Sequence, residues 1–449
     1  MLTTLTDETS QNFTFGYDNA DRMTSRTMPN GITSTFEYDN MSRLKRLRHE
    51  SSTVTLFDNQ YLYNGASQIS QITDLANTRV FGYDLVDRLT SVHTNGTQTE
   101  GYTFDDVGNR TSSHLSPTYG YQSGKFNQLT STATANFRFD SNGNTIQKSE
   151  GSNFWRYVWD YENRLVEAST RKEKVRYRYD ALGRRVERNL NSGKDRTKYT
   201  LDGLDVLVDN DDGTLTKYLN GPGIDNKLRA ETGSAVNYFL ADHLGSTNGL
   251  ADASGNVTST ASYDSFGNKT GNLATRYQFT GREYDNFSGQ YFYRARFYDS
   301  GLGRFTSEDP IGFAGGDINL YGYVRNNPFH FRDPSGRIPV FAIAVVGGVV
   351  AVEGLLHLYL ANRASSVSWP GGDPKGRMKH CYVNCMSTRL HSGNAGPVTI
   401  AGLAQEAVNT GYQGAPIDDS LGDLRANQTG QMNSIFVWKS CEELCKTCQ

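Results

Sequence analysis

Two Asp-Pro steps frame a dense, loop-like run two thirds of the way along the chain. "GRFTSEDP" ends on Asp309–Pro310, and "RDPSGR" carries Asp333. Two carboxylates brought together cannot both ionise freely, so one holds a proton while the other remains a base. Such a pair can activate a water and protonate a leaving amide, which is peptide hydrolysis without metal or covalent nucleophile. A peptide tethered beside the pair is already oriented, which is worth roughly 7–11 kcal/mol of barrier. The same residues also read as turns, with Pro presetting φ, Gly closing the turn and Asp capping it; the two readings are compatible.

A second concentration of chemistry lies in the tail. All five cysteines, Cys381, Cys385, Cys441, Cys445 and Cys448, fall in the last 69 residues, in "HCYVNC" and "CEELCKTC". Cys445-x-x-Cys448 has metal-ligand spacing, and His380, Cys381 and Cys385 could complete a tetrahedral zinc site. One or two disulfides fit an oxidising compartment equally, and free thiols are the third alternative. His380, Glu406, Asp423 and Asn427 are the tail's candidates for acid, base and positioning roles. Each has a plainer reading, as a core or ligand histidine, a solvated helix face, and caps or turn residues. Residues 365–449 carry seven Lys/Arg and seven Asp/Glu, a balance without the cationic excess that phosphate binding demands. Neither a deaminase H-x-E with P-C-x-x-C nor G-x-S-x-G is present.

The elements that must position the aspartates are β-strands. The chain has 26 Tyr, 22 Phe and 45 Gly against 11 Pro and only 36% apolar residues, so it is aromatic-rich and turn-rich with few helical stripes. A motif recurs: "YDNADRMTS" at Tyr17, "YDNMSRLKR" at Tyr38, "YNGASQIS" at Tyr63, "YDLVDRLTS" at Tyr83, "FDDVGNRTS" at Phe104, "FDSNGNTIQ" at Phe139, "WDYENRLVE" at Trp159 and "YDALGRRVE" at Tyr179. Successive intervals are 21, 25, 20, 21, 35, 20 and 20 residues. The alternation before each Asp, as in "VRYRYD", has the strand period of two, and the Asx/Gly cluster supplies a turn. Each unit is a hairpin that cannot bury its own face, so the units must stack into a continuous antiparallel strip.

This pattern resembles the YD-repeat, or Rhs, family of polymorphic bacterial toxins, which includes the C components of insecticidal toxin complexes and the teneurins. The resemblance covers residues 10 to 337 and is most specific in "DHLGSTNGLADASGNVTSTASYDSFGNKTG" (Asp242–Gly271) and in Tyr277–Gly336, which looks like the Rhs-associated core. It implies a mainly β fold, a strip wound into a hollow shell, with a small variable α-rich module behind it. It implies also that the core is an aspartyl autoprotease, with Asp309 and Asp333 as the acidic pair and Arg304 or Arg332 as its electrostatic partner. The family cuts after Leu in DPxGL; here that position is Arg337, so the expected break is Arg337–Ile338, with a charge where an apolar pocket is expected.

The expected organisation is a repeat shell over 1–240, the core over 241–337, a hydrophobic helical segment over 338–364 and the cysteine-containing module over 365–449. "IPVFAIAVVGGVVAV" (Ile338–Val352) carries no charge, but the apolar character reaches 24 residues only by admitting Glu353 and His357, so the readings are a membrane-inserting or translocation helix, a helix packed within the shell, and a pore-forming element. The implied function is self-cleaving release of an effector in interbacterial competition. The implied partners are a cognate immunity protein, delivery components of a secretion system and a target membrane; no cofactor is expected apart from possible zinc. No signal peptide is visible, so export by a specialised route, or membership of a longer polypeptide, is expected. The competing class is a non-enzymatic YD-repeat surface protein with an anchoring tail.

Overall fold

The aspartate of each repeat builds its own turn. In the computed structural model, which describes residues 1–125, 127–191 and 195–341, Asp18 Oδ1 accepts the Ala20 and Arg22 backbone N–H groups at 2.9 and 3.0 Å. Asp18 Oδ2 accepts Arg22 Nε at 2.7 Å, and the same fork recurs at Asp39–Arg43, Asp84–Arg88, Asp160–Arg164 and Asp180–Arg184. The residue before the Arg turns left-handed, as at Asp21 (φ 63°) and Asn163 (φ 58°), where short Asx side chains tolerate that region. The ladder slips by one residue at the aromatic position, for example at Gly16/Tyr17 and Gly82/Tyr83, giving a bulged hairpin.

The aromatic and the arginine tie one repeat to the next. Tyr38, Tyr63 and Tyr179 donate their hydroxyls to the carbonyls of Met23, Leu44 and Leu165, the buried apolar residues that open the preceding return strands. Arg22 stacks over Tyr38, Arg43 over Tyr63 and Arg164 over Tyr179, with 4.4 to 5.2 Å to the ring centroids. The twenty-residue period is therefore the length of one hairpin plus the turn that must align these contacts.

The strands pair in sequence order as antiparallel neighbours, and the fold is nearly all β, as expected. The strip is not continuous. Eleven strands from Thr4–Thr6 to Arg110–Ser113 form one sheet, and sixteen from Tyr119–Tyr121 to Lys269–Asn272 form another. The break falls at "HLSP", where Pro117 has no N–H to give a ladder. Side chains bridge the step: Tyr121 donates to the Arg110 carbonyl at 2.9 Å, and the Ser113 and Tyr119 hydroxyls lie 2.8 Å apart. The long 35-residue interval before Phe139 is the trace of this break in the sequence.

Residues 277–341 do not extend either sheet. Glu283–Asp285, Gln290–Tyr293, Arg296–Asp299 and Arg304–Phe305 make a separate four-stranded sheet, and Phe331–Arg332 pairs with Val340–Phe341. Both long sheets pack on this block. Leu44, Leu89 and Val92 of the first meet Tyr291, Tyr293, Tyr298 and Phe305, while Tyr157, Leu165 and Tyr177 of the second meet Phe292 and Phe297. The first sheet also closes directly on the second through Phe13, Phe15 and Ile32 against Leu228, Tyr238 and Leu240. Alternation along "QYFYRARFYD" thus serves two cores, one on each face. Of the described residues, no helix is long and apolar enough to cross a membrane.

Candidate active site

The hairpin turn Tyr293–Arg296 is the platform of the site. Arg294 sits at φ 56°, reversing the chain so that Tyr293 pairs with Arg296. The three following groups then hold down the segment after Asp333: Arg294 donates to the Pro334 carbonyl, Ala295 N to the Ser335 carbonyl at 3.2 Å, and Arg296 Nε to the Gly336 carbonyl. Gly336 (φ 70°) has no room for a side chain, because a Cβ there would be driven into the Tyr293 carbonyl oxygen.

This arrangement brings Asp309 and Asp333 together on one cation. Arg296 Nη2 lies 3.0 Å from Asp309 Oδ2 and 3.3 Å from Asp333 Oδ2. All three side chains are buried, with 3%, 8% and 1% of their surfaces exposed for Arg296, Asp309 and Asp333. Burial pushes the Asp309 carboxyl up to about 6, against the pull of Arg296 and the Ile311 N–H and with the help of the neighbouring Asp333 charge. Burial first, and then two carboxylates on one guanidinium, let Asp309 hold its proton to higher pH than an exposed aspartate does.

Asp333 reads the backbone that follows it. Its Oδ1 accepts the Ser335 hydroxyl at 3.0 Å, Arg337 N–H at 3.0 Å and Ile338 N–H at 3.1 Å. The amide nitrogen of the Arg337–Ile338 bond is therefore in hydrogen-bond contact with one aspartate. The carbonyl oxygen of the same bond borders a space that the other aspartate also borders. An added Cβ on Gly315 would stand 2.9 Å from Asp309 Oδ2 and 3.0 Å from the Arg337 carbonyl oxygen, so both atoms border the same space. A cavity of about 10 Å³ lies there, lined by Arg296, Asp309, Gly315, Asp317, Asp333 and Arg337. That is the room of about one water.

The arginine partner is a correction to the sequence reading. Arg304 pairs across its strand with Asp299, donates to the Asn127 carbonyl at 2.6 Å and lies over Tyr321. Its strand neighbour Phe305 takes the opposite face, where Arg296 stacks on it at 3.6 Å. Arg332 is turned away from Asp333 for the same alternating reason, reaching the Leu244 and Ile224 carbonyls at 3.4 Å. Sequence reasoning missed Arg296, although an arginine inside the aromatic run "YFYRARFYD" signals a buried cation in need of carboxylates. It missed Gly315 too, which no chemistry-bearing side chain announces. His380, Glu406, Asp423, Asn427 and the five cysteines lie outside the described residues.

A β-strip closed on an aromatic block that ends in an aspartate pair is a defined architecture, and comparison with known proteins places it. The family model described as "Teneurin YD-shell" matches residues 8–329, and the chain belongs to that family. Among curated relatives, the tRNA3(Ser)-specific nuclease WapA of Bacillus spizizenii is 29% identical over 352 residues, 74% of this chain and 15% of that protein. Toxin protein Tse5 of Pseudomonas aeruginosa is 26% identical over 389 residues, 69% of this chain and 29% of that protein. The chain thus spans a minor part of either relative. The crystal structure of TcdB2-TccC3-Cdc42 matches with a TM-score of 0.61 at 18% identity, over 74% of this chain and 20% of that one, a likeness of fold.

Proposed function

We propose that the chain is the C-terminal part of an Rhs-type polymorphic toxin, a β-shell whose core cuts the Arg337–Ile338 bond and so frees the segment that follows. The observation that carries this reading is the two-sided grip on one peptide bond: Asp333 Oδ1 at the Ile338 nitrogen, and Asp309 bordering the Arg337 carbonyl. In the reaction Asp333, as the base, takes a proton from water as the water oxygen bonds to the Arg337 carbonyl carbon. Asp309, which holds its proton to higher pH, donates to the carbonyl oxygen. Asp333 then passes the acquired proton to the Ile338 nitrogen as the C–N bond breaks, while a hydroxyl of the tetrahedral carbon returns its proton to Asp309 and the carbonyl re-forms, leaving a carboxyl at Arg337 and an amine at Ile338. Arg296, bound to both carboxylates, holds them in register.

The toxin reading is supported by the relatives, a tRNA nuclease and a toxin, whose names favour an effector over the surface-protein alternative. Their reach far beyond the matched portion supports delivery as part of a larger secreted or injected assembly, with a cognate immunity protein as partner. Disulfides or zinc in the cysteine-containing tail stand as proposals for that module.

The direct test is denaturing electrophoresis with intact-mass measurement of the purified chain. Cleavage gives a fragment ending at Arg337 and a tail of 112 residues; a single intact polypeptide would sink the autoprotease. The tail, expressed alone in bacteria with and without its downstream neighbour gene, should be toxic only without it.

A further inference from the structure

The departure at Arg337 raises the question of what selects the bond. We infer that selection is made by backbone fit at Gly315 and Gly336, and that the side chain of residue 337 takes little part. This deepens the autoprotease reading and rests on it.

The hydrogen bonds that fix the segment from Pro334 to Ile338 are made to its backbone or to Ser335. The carbonyls of Pro334, Ser335 and Gly336 are taken by Arg294, Ala295 and Arg296, and the N–H groups of Arg337 and Ile338 by Asp333 Oδ1. The Arg337 side chain is exposed and borders a cavity of about 520 Å³ whose lining mixes Glu162, Leu182, Arg184, Asp205 and Arg294. An apolar slot built for leucine would be narrow and uncharged; this wall is neither, and a residue of either character can lie against it in water.

Gly315 is the selective element on the other side of the bond. Its φ is not left-handed, so alanine fits the backbone there. What alanine cannot do is leave the space between Asp309 Oδ2 and the Arg337 carbonyl, where an added methyl would stand about 3 Å from both. The glycine keeps open the approach to the carbonyl that the reaction needs. A displacement of about 1 Å at such a point costs on the order of a hundredfold in rate. Gly315 touches no proton in flight; it acts by holding space.

The experiment compares cleavage rates of the full chain, freshly refolded, for wild type, Arg337→Leu, Arg337→Gln, Gly315→Ala and Asp333→Asn, with circular dichroism of each as a check on folding. The inference expects both Arg337 variants to cut within about threefold of wild type, and Gly315→Ala to slow by on the order of a hundredfold while remaining folded. Arg337→Gln should also move the pH profile slightly upward, since the Arg337 charge acts on Asp309 through solvent and favours its ionised form; a purely structural role for Arg337 would not move the profile. A rate change beyond tenfold in the Arg337 variants overturns the inference, as does a folded Gly315→Ala that cuts at the wild-type rate. Should Gly315→Ala misfold, the two Arg337 variants decide it. Wild type that never cuts, like Asp333→Asn, overturns the autoprotease reading itself and is distinguishable from either outcome.

Discussion

The repeat turns and the core turns use aspartate in nearly the same local geometry and give it opposite electrostatics. At Asp18 one carboxylate oxygen accepts the N–H groups two and four residues on, and Asp333 likewise accepts the N–H four residues on. In five of the repeats the Asp owns an arginine four residues later, and the Arg22 guanidinium holds the Asp18 carboxyl below its ordinary range. In the core two buried aspartates divide one arginine, and Asp309 rises to about 6. A turn becomes a proton-holding site when burial removes its water and its counter-charge is shared. The difference lies first in burial and then in the shared cation, since the residue type and the turn are the same.

The sharpest way to break this comparison is to neutralise one core carboxylate. Asp333→Asn and Asp309→Asn should each reduce self-cleavage by at least about a thousandfold, because an amide cannot cycle between acid and base. Electrophoresis of refolded protein reads this directly. Asp180→Asn in a repeat turn should leave cleavage at the wild-type rate.

Removing the shared cation should be next in size. Arg296→Met leaves two carboxylates buried without their partner, a loss of about 3–5 kcal/mol, measured by denaturant unfolding. Arg296→Lys keeps the charge but cannot reach both carboxylates and the Gly336 and Leu320 carbonyls at once. It should fold, and should cut about a hundredfold more slowly.

Acidity separates the two classes of turn without mutation. The Asp309 carboxyl is raised, so it carries its proton below about 6 and loses it above. Cleavage should therefore fall by about tenfold per pH unit once the pH exceeds about 6. A rate that rises steadily from pH 5 to pH 8 would reverse the assigned roles.

The smallest effect is expected in the shell. Arg43→Ala removes an ion pair to Asp39 and a stacking contact on Tyr63, both partly exposed. The loss should be about 1 kcal/mol in unfolding, with cleavage unchanged. A much larger loss would mean that the repeats depend on these arginines as strictly as the core depends on Arg296.

The sequence by itself determined the repeat, because everything that makes a hairpin here is local. The aromatic, the Asp, the left-handed residue and the Arg fall within seven positions, and their period prescribes a stack of antiparallel strands. It also showed Asp309 and Asp333 as two Asp-Pro turns in one block, and the family resemblance made them an acidic pair. Tertiary structure alone decided which cation they share. Arg296 lies 13 and 37 residues from them, nearer in sequence to neither than Arg304 or Arg332, and only strand alternation against Phe305 turns it toward the pair. The same holds for Gly315, whose role is an empty space bounded by atoms from three separate segments. Local chemistry can be read along a chain, whereas a shared charge and a kept void exist only once distant segments meet.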